Sequence, residues 1–146
     1  MVSTNHLIDD NELIDLSSLV SDKIRQFHEL IAGRQIRHTE NLQLRTVSVS
    51  KYLVDILLNN LLSNAIRHNN EYGELRITLN NEFLVIKNTG LDKPLIEDKI
   101  FERFNKSNKS DGIGLGLALV KNICSLYGWK ITYAYKDHFH QFKIEF

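Results

Sequence analysis

Two asparagines four residues apart, Asn60 and Asn64, interrupt the leucine-rich run "ILLNNLLSNAIRHNN" over residues 56–70. A helix carries residues at that spacing on one side, and Arg67 and His68, three and four positions past Asn64, fall on the same side. An asparagine inside a helix gives up some propensity and, if buried, needs partners for its amide. The stripe gathers two neutral oxygen donors, a fixed positive charge and an imidazole. Such a set suits a cation that arrives with phosphates attached, because Mg²⁺ takes hard oxygens and keeps water and phosphate oxygens in its shell. Asparagines that cap neighbouring loops would show the same spacing, so the pair alone leaves both readings open.

Two further segments bear on the choice. "GIGLGLALV", residues 112–120, places Gly112, Gly114 and Gly116 at alternate positions before an apolar helical pattern. Glycines let backbone N–H groups approach an anion, and a helix N-terminus adds unpaired donors and the positive end of its dipole. Close packing of a helix on a sheet also selects glycine. No Gly-Lys-Ser/Thr follows and no βαβ unit surrounds it, so it is neither a Walker A loop nor a dinucleotide fingerprint. "VIKNTG", residues 85–90, ends a strand pattern with a polar pair and a glycine, which suits either a ligand's polar edge or an ordinary turn.

The elements that must position these residues follow from periodicity. Leu16, Leu19, Val20, Ile24, Phe27, Leu30 and Ile31 recur at steps of three and four, predicting a helix over 16–31 that Gly33 stops. Residues 35–50 alternate as one or two short strands. A helix then runs over 51–68 with Ser50 as N-cap. "ELRITL" and "EFLVIK" form a hairpin around Asn80 and Asn81, and "NNEYGE" before it is a turn. Between Asn88 and Gly112 periodicity fades into a long polar loop with one helical turn near "IEDKIFERF", and loops of this length in a compact domain are usually functional. A helix over "LGLALVKNICSLYG" and two strands around a turn at 136–138 close the chain. Helices segregated from strands in this order predict an α+β fold, a layer of helices on one face of a largely antiparallel sheet.

Composition narrows the classes. The 146 residues, with 18 basic and 18 acidic side chains and zero formal net charge, suit one domain and lack the basic footprint of nucleic-acid binding. The single cysteine, Cys124, lies in an apolar run and reads as a core residue in a reducing compartment. No apolar run approaches the roughly 18 residues of a membrane span, and the polar, acidic start is unlike a signal peptide.

Taken together and in order, these segments resemble the catalytic, ATP-binding domain of sensor histidine kinases, within the group that includes gyrase B, Hsp90 and MutL. "NNLLSNAIRH" resembles the family's N box, "VIKNTG" its first glycine box, "IFERFNK" its F box and "GIGLGLALVKNI" its second glycine box. The resemblance runs from about Leu16 to Phe146. It implies a two-layer α/β sandwich of the Bergerat type, about three helices on a mixed, mostly antiparallel sheet. It also implies ATP and Mg²⁺ as cofactors. By that resemblance Asn64 ligates the metal with Asn60 in support, and Arg67 and His68 face the triphosphate. Asn88 reads the adenine amino group and Gly90 lets the backbone pass close to the base. Gly112, Gly114 and Gly116, with the N–H groups of Leu115 and Leu117, hold the phosphates. Residues 91–111 would form a lid, partly mobile over 93–111 without nucleotide. Phe101 and Phe104 anchor it, and Lys106 stands near the γ-phosphate.

The sequence departs from the family pattern in three places. Asn88 stands where an aspartate is usual, which exchanges a charge-assisted hydrogen bond for a neutral one roughly half as strong. Asp92 replaces a second glycine. Lys106 replaces an arginine, a point charge for a planar fork. Weaker nucleotide binding is the expectation. Hydrolysing relatives carry a glutamate at the position of Asn60, and an amide cannot take a proton from water, so direct hydrolysis should be poor. Phosphoryl transfer needs chiefly positioning and charge stabilisation, so the domain could still donate to a nucleophile elsewhere. His28 in "FHELIAG" shares His-Glu-Leu with the acceptor box but lacks its proline and sits inside the first helix, so it reads as a surface histidine. His6, His38, His68, His138 and His140 have no acceptor context either.

The expectation is therefore a protein histidine kinase's catalytic part, residues 16–146, preceded by a connection, residues 1–15, from an absent dimerisation and phosphoacceptor domain. It would be a cytoplasmic monomer when isolated, serving a response regulator indirectly, without nucleic acid; the sequence leaves membrane anchoring of the parent open. The alternatives are a non-catalytic nucleotide-binding or protein-interaction module of the same fold, and a serine kinase of the anti-sigma type, which the F box disfavours.

Overall fold

The computed structural model describes residues 10–102 and 116–146. In chain order the elements are β1 (Glu12–Asp15), α1 (Leu16–Gln26), α2 (His28–Gly33), β2 (Arg37–Leu42), β3 (Thr46–Val49), α3 (Lys51–Arg67), β4 (Glu74–Leu79), β5 (Phe83–Asn88), α4 (Glu97–Ile100), α5 (Gly116–Leu126), β6 (Lys130–Lys136) and β7 (Phe139–Glu145).

Apolar residues at every second position give the central strands one buried face. They pair as a five-stranded sheet in the order β2-β4-β5-β7-β6, with β2 parallel to β4 and every other pair antiparallel. The register aligns two apolar rows across it: Leu79, Leu84, Ile144 and Ile131, then Ile77, Ile86, Phe142 and Tyr133. A third row, Leu75, Asn88, His140 and Tyr135, turns polar where the strands reach the cleft described below. Helices α1, α3 and α5 cover these rows, so the expected α+β sandwich with a mixed sheet is what forms. Leu53, Val54, Leu57, Leu58, Leu61, Leu62, Ala65 and Ile66 make α3 the centre of the core.

Local chemistry sets the element ends. Asp15 caps α1, its carboxylate accepting from the Ser17 N–H at 3.0 Å, and Ser50 caps α3 as expected. The helix expected over 16–31 is broken in two at Phe27 (φ −91°, ψ 7°), which lets Ile31 enter the core while Leu30 stays exposed. Apolar steps of three and four continue through the break, which is why periodicity does not reveal it. The β6–β7 turn uses Asp137 and His138 with φ of 55° and 69°, a mirror-image two-residue turn made without glycine.

The strands expected over 35–50 are two, and they enter different sheets. β2 joins the central sheet, whereas β3 pairs antiparallel with β1 in a separate ribbon. The Tyr127 hydroxyl ties this ribbon to α3: it accepts the Ser50 N–H at 2.9 Å and donates to Asn11 Oδ1 at 3.1 Å. The buried Lys23 ammonium meets Asp55 at 3.2 Å and so joins α1 to α3. Among the described residues no helix is long and apolar enough to cross a membrane.

Candidate functional site

The asparagine stripe lies on the flank of α3, at the border between its buried face and solvent. Asn60 and Asn64 are half-buried, His68 is half-buried at the helix C-cap, and Arg67 is exposed. Asn60 donates through Nδ2 to Ile56 O at 2.7 Å, which fixes its amide oxygen toward the first residue of α5. A Cβ on Gly116 would stand 2.6 Å from that oxygen, so glycine there is what lets α5 start against α3. The Asn64 side chain makes no hydrogen bond among the described residues.

The pair that follows the helix, Asn69 and Asn70, draws the strand ends to it. Buried Asn69 donates to Glu74 O at 2.8 Å and accepts from the Thr89 hydroxyl at 2.6 Å, and Asn70 donates to Gly90 O at 3.1 Å. These bonds bring the end of β5 beside the C-terminus of α3. Asn88, buried on the helix-facing side of β5, donates through Nδ2 to Thr89 O at 2.8 Å. Its amide oxygen is the acceptor left for a ligand. Gly90 has a packing role besides the one the resemblance implies: a Cβ there would stand 2.7 Å from the His68 carbonyl oxygen.

Between these elements opens a small cleft lined by Asn64, His68, Asn88, Leu91, Leu95, Leu117, His140 and Phe142. Its floor is the end of the sheet, one wall is α3, and the other walls are the start of α5 and residues 91–95. The lining is largely aliphatic and aromatic with a few convergent polar groups, the make-up of a small-molecule site. A flat heterocycle could lie on the apolar wall with its edge at Asn88, while Asn64 and His68 face groups further out.

A model of the family described as histidine kinase-, DNA gyrase B-, and HSP90-like ATPase matches residues 51–145, from α3 through the last strand. The chain belongs to this ATPase family. Two curated relatives are the sensor histidine kinase HprS of Escherichia coli strain K12, 36% identical over 108 residues, which are 67% of this chain and 23% of the relative, and the heme sensor protein HssS of Staphylococcus aureus strain Newman, 32% identical over 142 residues, 92% of this chain and 30% of the relative. The chain thus spans about a quarter to a third of the relatives it matches. Among solved structures, the nucleotide-free catalytic domain of the histidine kinase ThkA aligns with a TM-score of 0.82 at 25% identity, covering 92% of this chain and 93% of that one. ThkA in complex with the response regulator protein TrrA aligns with a TM-score of 0.76 at 24% identity, covering 92% and 41%, which speaks to the fold.

For this member of the ATPase family, the residues expected at the site divide three ways. Asn64, His68, Asn88 and Leu117 meet in one cleft, and Asn60 and Gly116 meet beside it. Arg67 and Gly90 lie next to the cleft without lining it. Phe101, the C-cap of α4, packs edge-on against Phe142, ring centroids 6.1 Å apart, with the Lys121 ammonium 5.7 Å over its ring, so it ties the end of α4 to the sheet. Phe104, Lys106, Gly112, Gly114 and Leu115 lie outside the described residues, as do positions 103–111 of the 93–111 segment for which mobility was expected. His28 is exposed at the start of α2.

Sequence reasoning placed Leu91 and Leu95 only within the 91–111 lid and missed His140 and Phe142 as lining residues. His140 is buried, with Nε2 2.8 Å from Leu91 O and Nδ1 2.6 Å from the Tyr133 hydroxyl. No local signal marks it, for a histidine alternating with apolar residues on a strand reads as any half-buried position.

Proposed function

We propose that this chain is the ATP-binding catalytic domain of a sensor histidine kinase, which donates the γ-phosphoryl group of ATP to a histidine on a separate dimerisation and phosphoacceptor domain. The observation that carries the reading is the convergence of Asn64, His68 and Asn88, from two distant sequence segments, with Leu117 at the start of α5 in a single cleft. Family membership and the kinship to sensor kinases support it. Residues 1–15 then carry the connection from the acceptor domain, its end docked on this domain as β1 against β3, and a response regulator receives the phosphoryl group in turn.

Asn88 Oδ1 accepts from the adenine amino group, and Leu91, Leu95 and Phe142 cover the ring. The residues fit Mg²⁺ held together with phosphate: the Asn64 amide supplies a hard oxygen at the cleft, and the described residues hold no cluster of three or more His, Cys, Asp or Glu that would bind a metal by itself. When bound, the ion would neutralise charge on the phosphates. With Asn60 in place of a carboxylate, and its amide engaged by Ile56 O and packed on Gly116, no base stands there to activate water. In the transfer the bond from the γ-phosphorus to the β–γ bridging oxygen breaks, ADP leaves with the electron pair, and a P–N bond forms to the acceptor imidazole.

Isothermal titration tests the first step, with Mg²⁺-dependent binding of ATP as the expected result. Asn64→Ala should abolish the gain in affinity that Mg²⁺ gives while metal-free binding persists; an unchanged metal dependence would refute its role. Incubation with labelled ATP and the parent's acceptor domain should place acid-labile label on a histidine. Nucleotide binding without any transfer would favour the non-catalytic module instead.

A further inference from the structure

The apolar wall of the cleft comes from a segment with little to hold it. Residues 91–94 are exposed and 91–95 have no regular secondary structure, yet Leu91 and Leu95 line the cleft. Its surface pairing, His138 to Asp92 at 4.0 Å, joins two side chains more than 80% exposed and contributes little. Two buried side chains on the neighbouring strands hold it instead. The Tyr133 oxygen accepts the Leu95 N–H at 3.0 Å and lies 2.6 Å from His140 Nδ1. His140 Nε2 lies 2.8 Å from Leu91 O, a carbonyl that can only accept, so the neutral ring carries its proton on Nε2 and Nδ1 accepts from the Tyr133 O–H. The chain of bonds runs from the Leu95 amide through the Tyr133 hydroxyl and the His140 ring to the Leu91 carbonyl. It clamps both ends of a five-residue arc onto the sheet beside Asn88, the cross-strand neighbour of His140. Tyr133 and His140 are 8% and 5% exposed, so the bond between them is made where water does not compete for it, and the two bonds to the arc are part-buried.

We propose that His140 and Tyr133 are positioning residues for nucleotide binding: together they hold residues 91–95 against the sheet and so set the wall on which the base lies. The proposal rests on reading the cleft as the ATP site. A clamp at the base end acts equally on every nucleotide with the same base, whatever its phosphates or metal, and that separates it from Asn64.

The test titrates this chain and its Tyr133→Phe, His140→Leu and His140→Gln variants with ATP and with ADP, each with and without Mg²⁺, and follows Leu95 amide exchange and the His140 ring nitrogens by NMR. In the wild type the Leu95 amide should be protected and Nε2 should carry the proton. Tyr133→Phe should lose that protection and weaken ATP and ADP by the same factor, about tenfold, leaving the Mg²⁺ effect intact. His140→Gln, which keeps a donor near Leu91 O, should retain more affinity than His140→Leu. Melting temperatures above the assay temperature establish that each variant is folded. Wild-type affinity in Tyr133→Phe, or equal losses in the two His140 variants, would overturn the proposal and leave the ATP reading standing. A wild-type chain that binds neither nucleotide would overturn the ATP reading itself.

Discussion

Several residues at the cleft have a packing role that the fold itself imposes. Gly90 shows this: the His68 carbonyl leaves no room for a Cβ, since backbone at 2.7 Å cannot swing aside as a side-chain tip can. Gly90→Ala should therefore destabilise the fold by about 2 kcal/mol, the cost of overpacking a tight site, read as a lower urea midpoint with an unchanged slope. A wild-type midpoint would show that the end of β5 adapts freely. Asn88 is a case of substitution by near-isostere: its amide nitrogen is engaged by Thr89 O, so it can still present an oxygen to a ligand, without the charge an aspartate would bring.

At the scale of elements, the first helix and its ion pair to α3, buried at Lys23 and half-buried at Asp55, bear on how α3 is held. Asp15 caps α1 with its carboxylate, and the Ser17 hydroxyl, then the Ser18 hydroxyl, hold its pKa below the ordinary 3.8. Because the folded value lies below the unfolded one, the cap's contribution is fully present above pH 3.8 and is lost as pH falls through the folded value. The stability gap between wild type and Asp15→Asn, which keeps a capping oxygen but no charge, should thus be constant near neutrality and close in acid. Urea midpoints measured from about pH 6 down to about pH 2.5 check this, and a gap that does not narrow would refute it. The Lys23–Asp55 bridge between α1 and α3 holds the helix that carries Asn60 and Asn64, and no spacing rule pointed to it.

For the molecule as a whole, one core joins both sides of the sandwich to the cleft. Cys124 on α5 lies in that core, 1% exposed, and burial pushes its thiol up to about 12. The thiolate is the reactive form, so the native chain should resist alkylation near neutral pH. Labelling in increasing urea should then rise together with loss of circular dichroism, and fast labelling of the native chain would show that α5 opens locally. Because β5 and β7 lie side by side in one sheet, movement of the strand ends would be felt by Asn88 and His140 together.

What depends on neighbours along the chain was legible from the residues: the asparagine stripe on α3, the alternation of the sheet strands, the cap at Ser50 and the order of segments that resembles the kinase family. Helical and strand spacing are local, so a stripe such as Asn60, Asn64 and His68 is legible before any fold is known. Tertiary structure alone decided what those side chains meet. Asn60 faces Gly116 because α3 and α5 pack, the two strands within 35–50 part into different sheets, and His140 reaches the cleft because β7 pairs with β5 in one particular register. A histidine on a strand looks the same in sequence whether it faces water or a buried carbonyl. Only the closing of contacts between segments far apart in the chain gives Nε2 its acceptor, Tyr133 its partner and residues 91–95 their place.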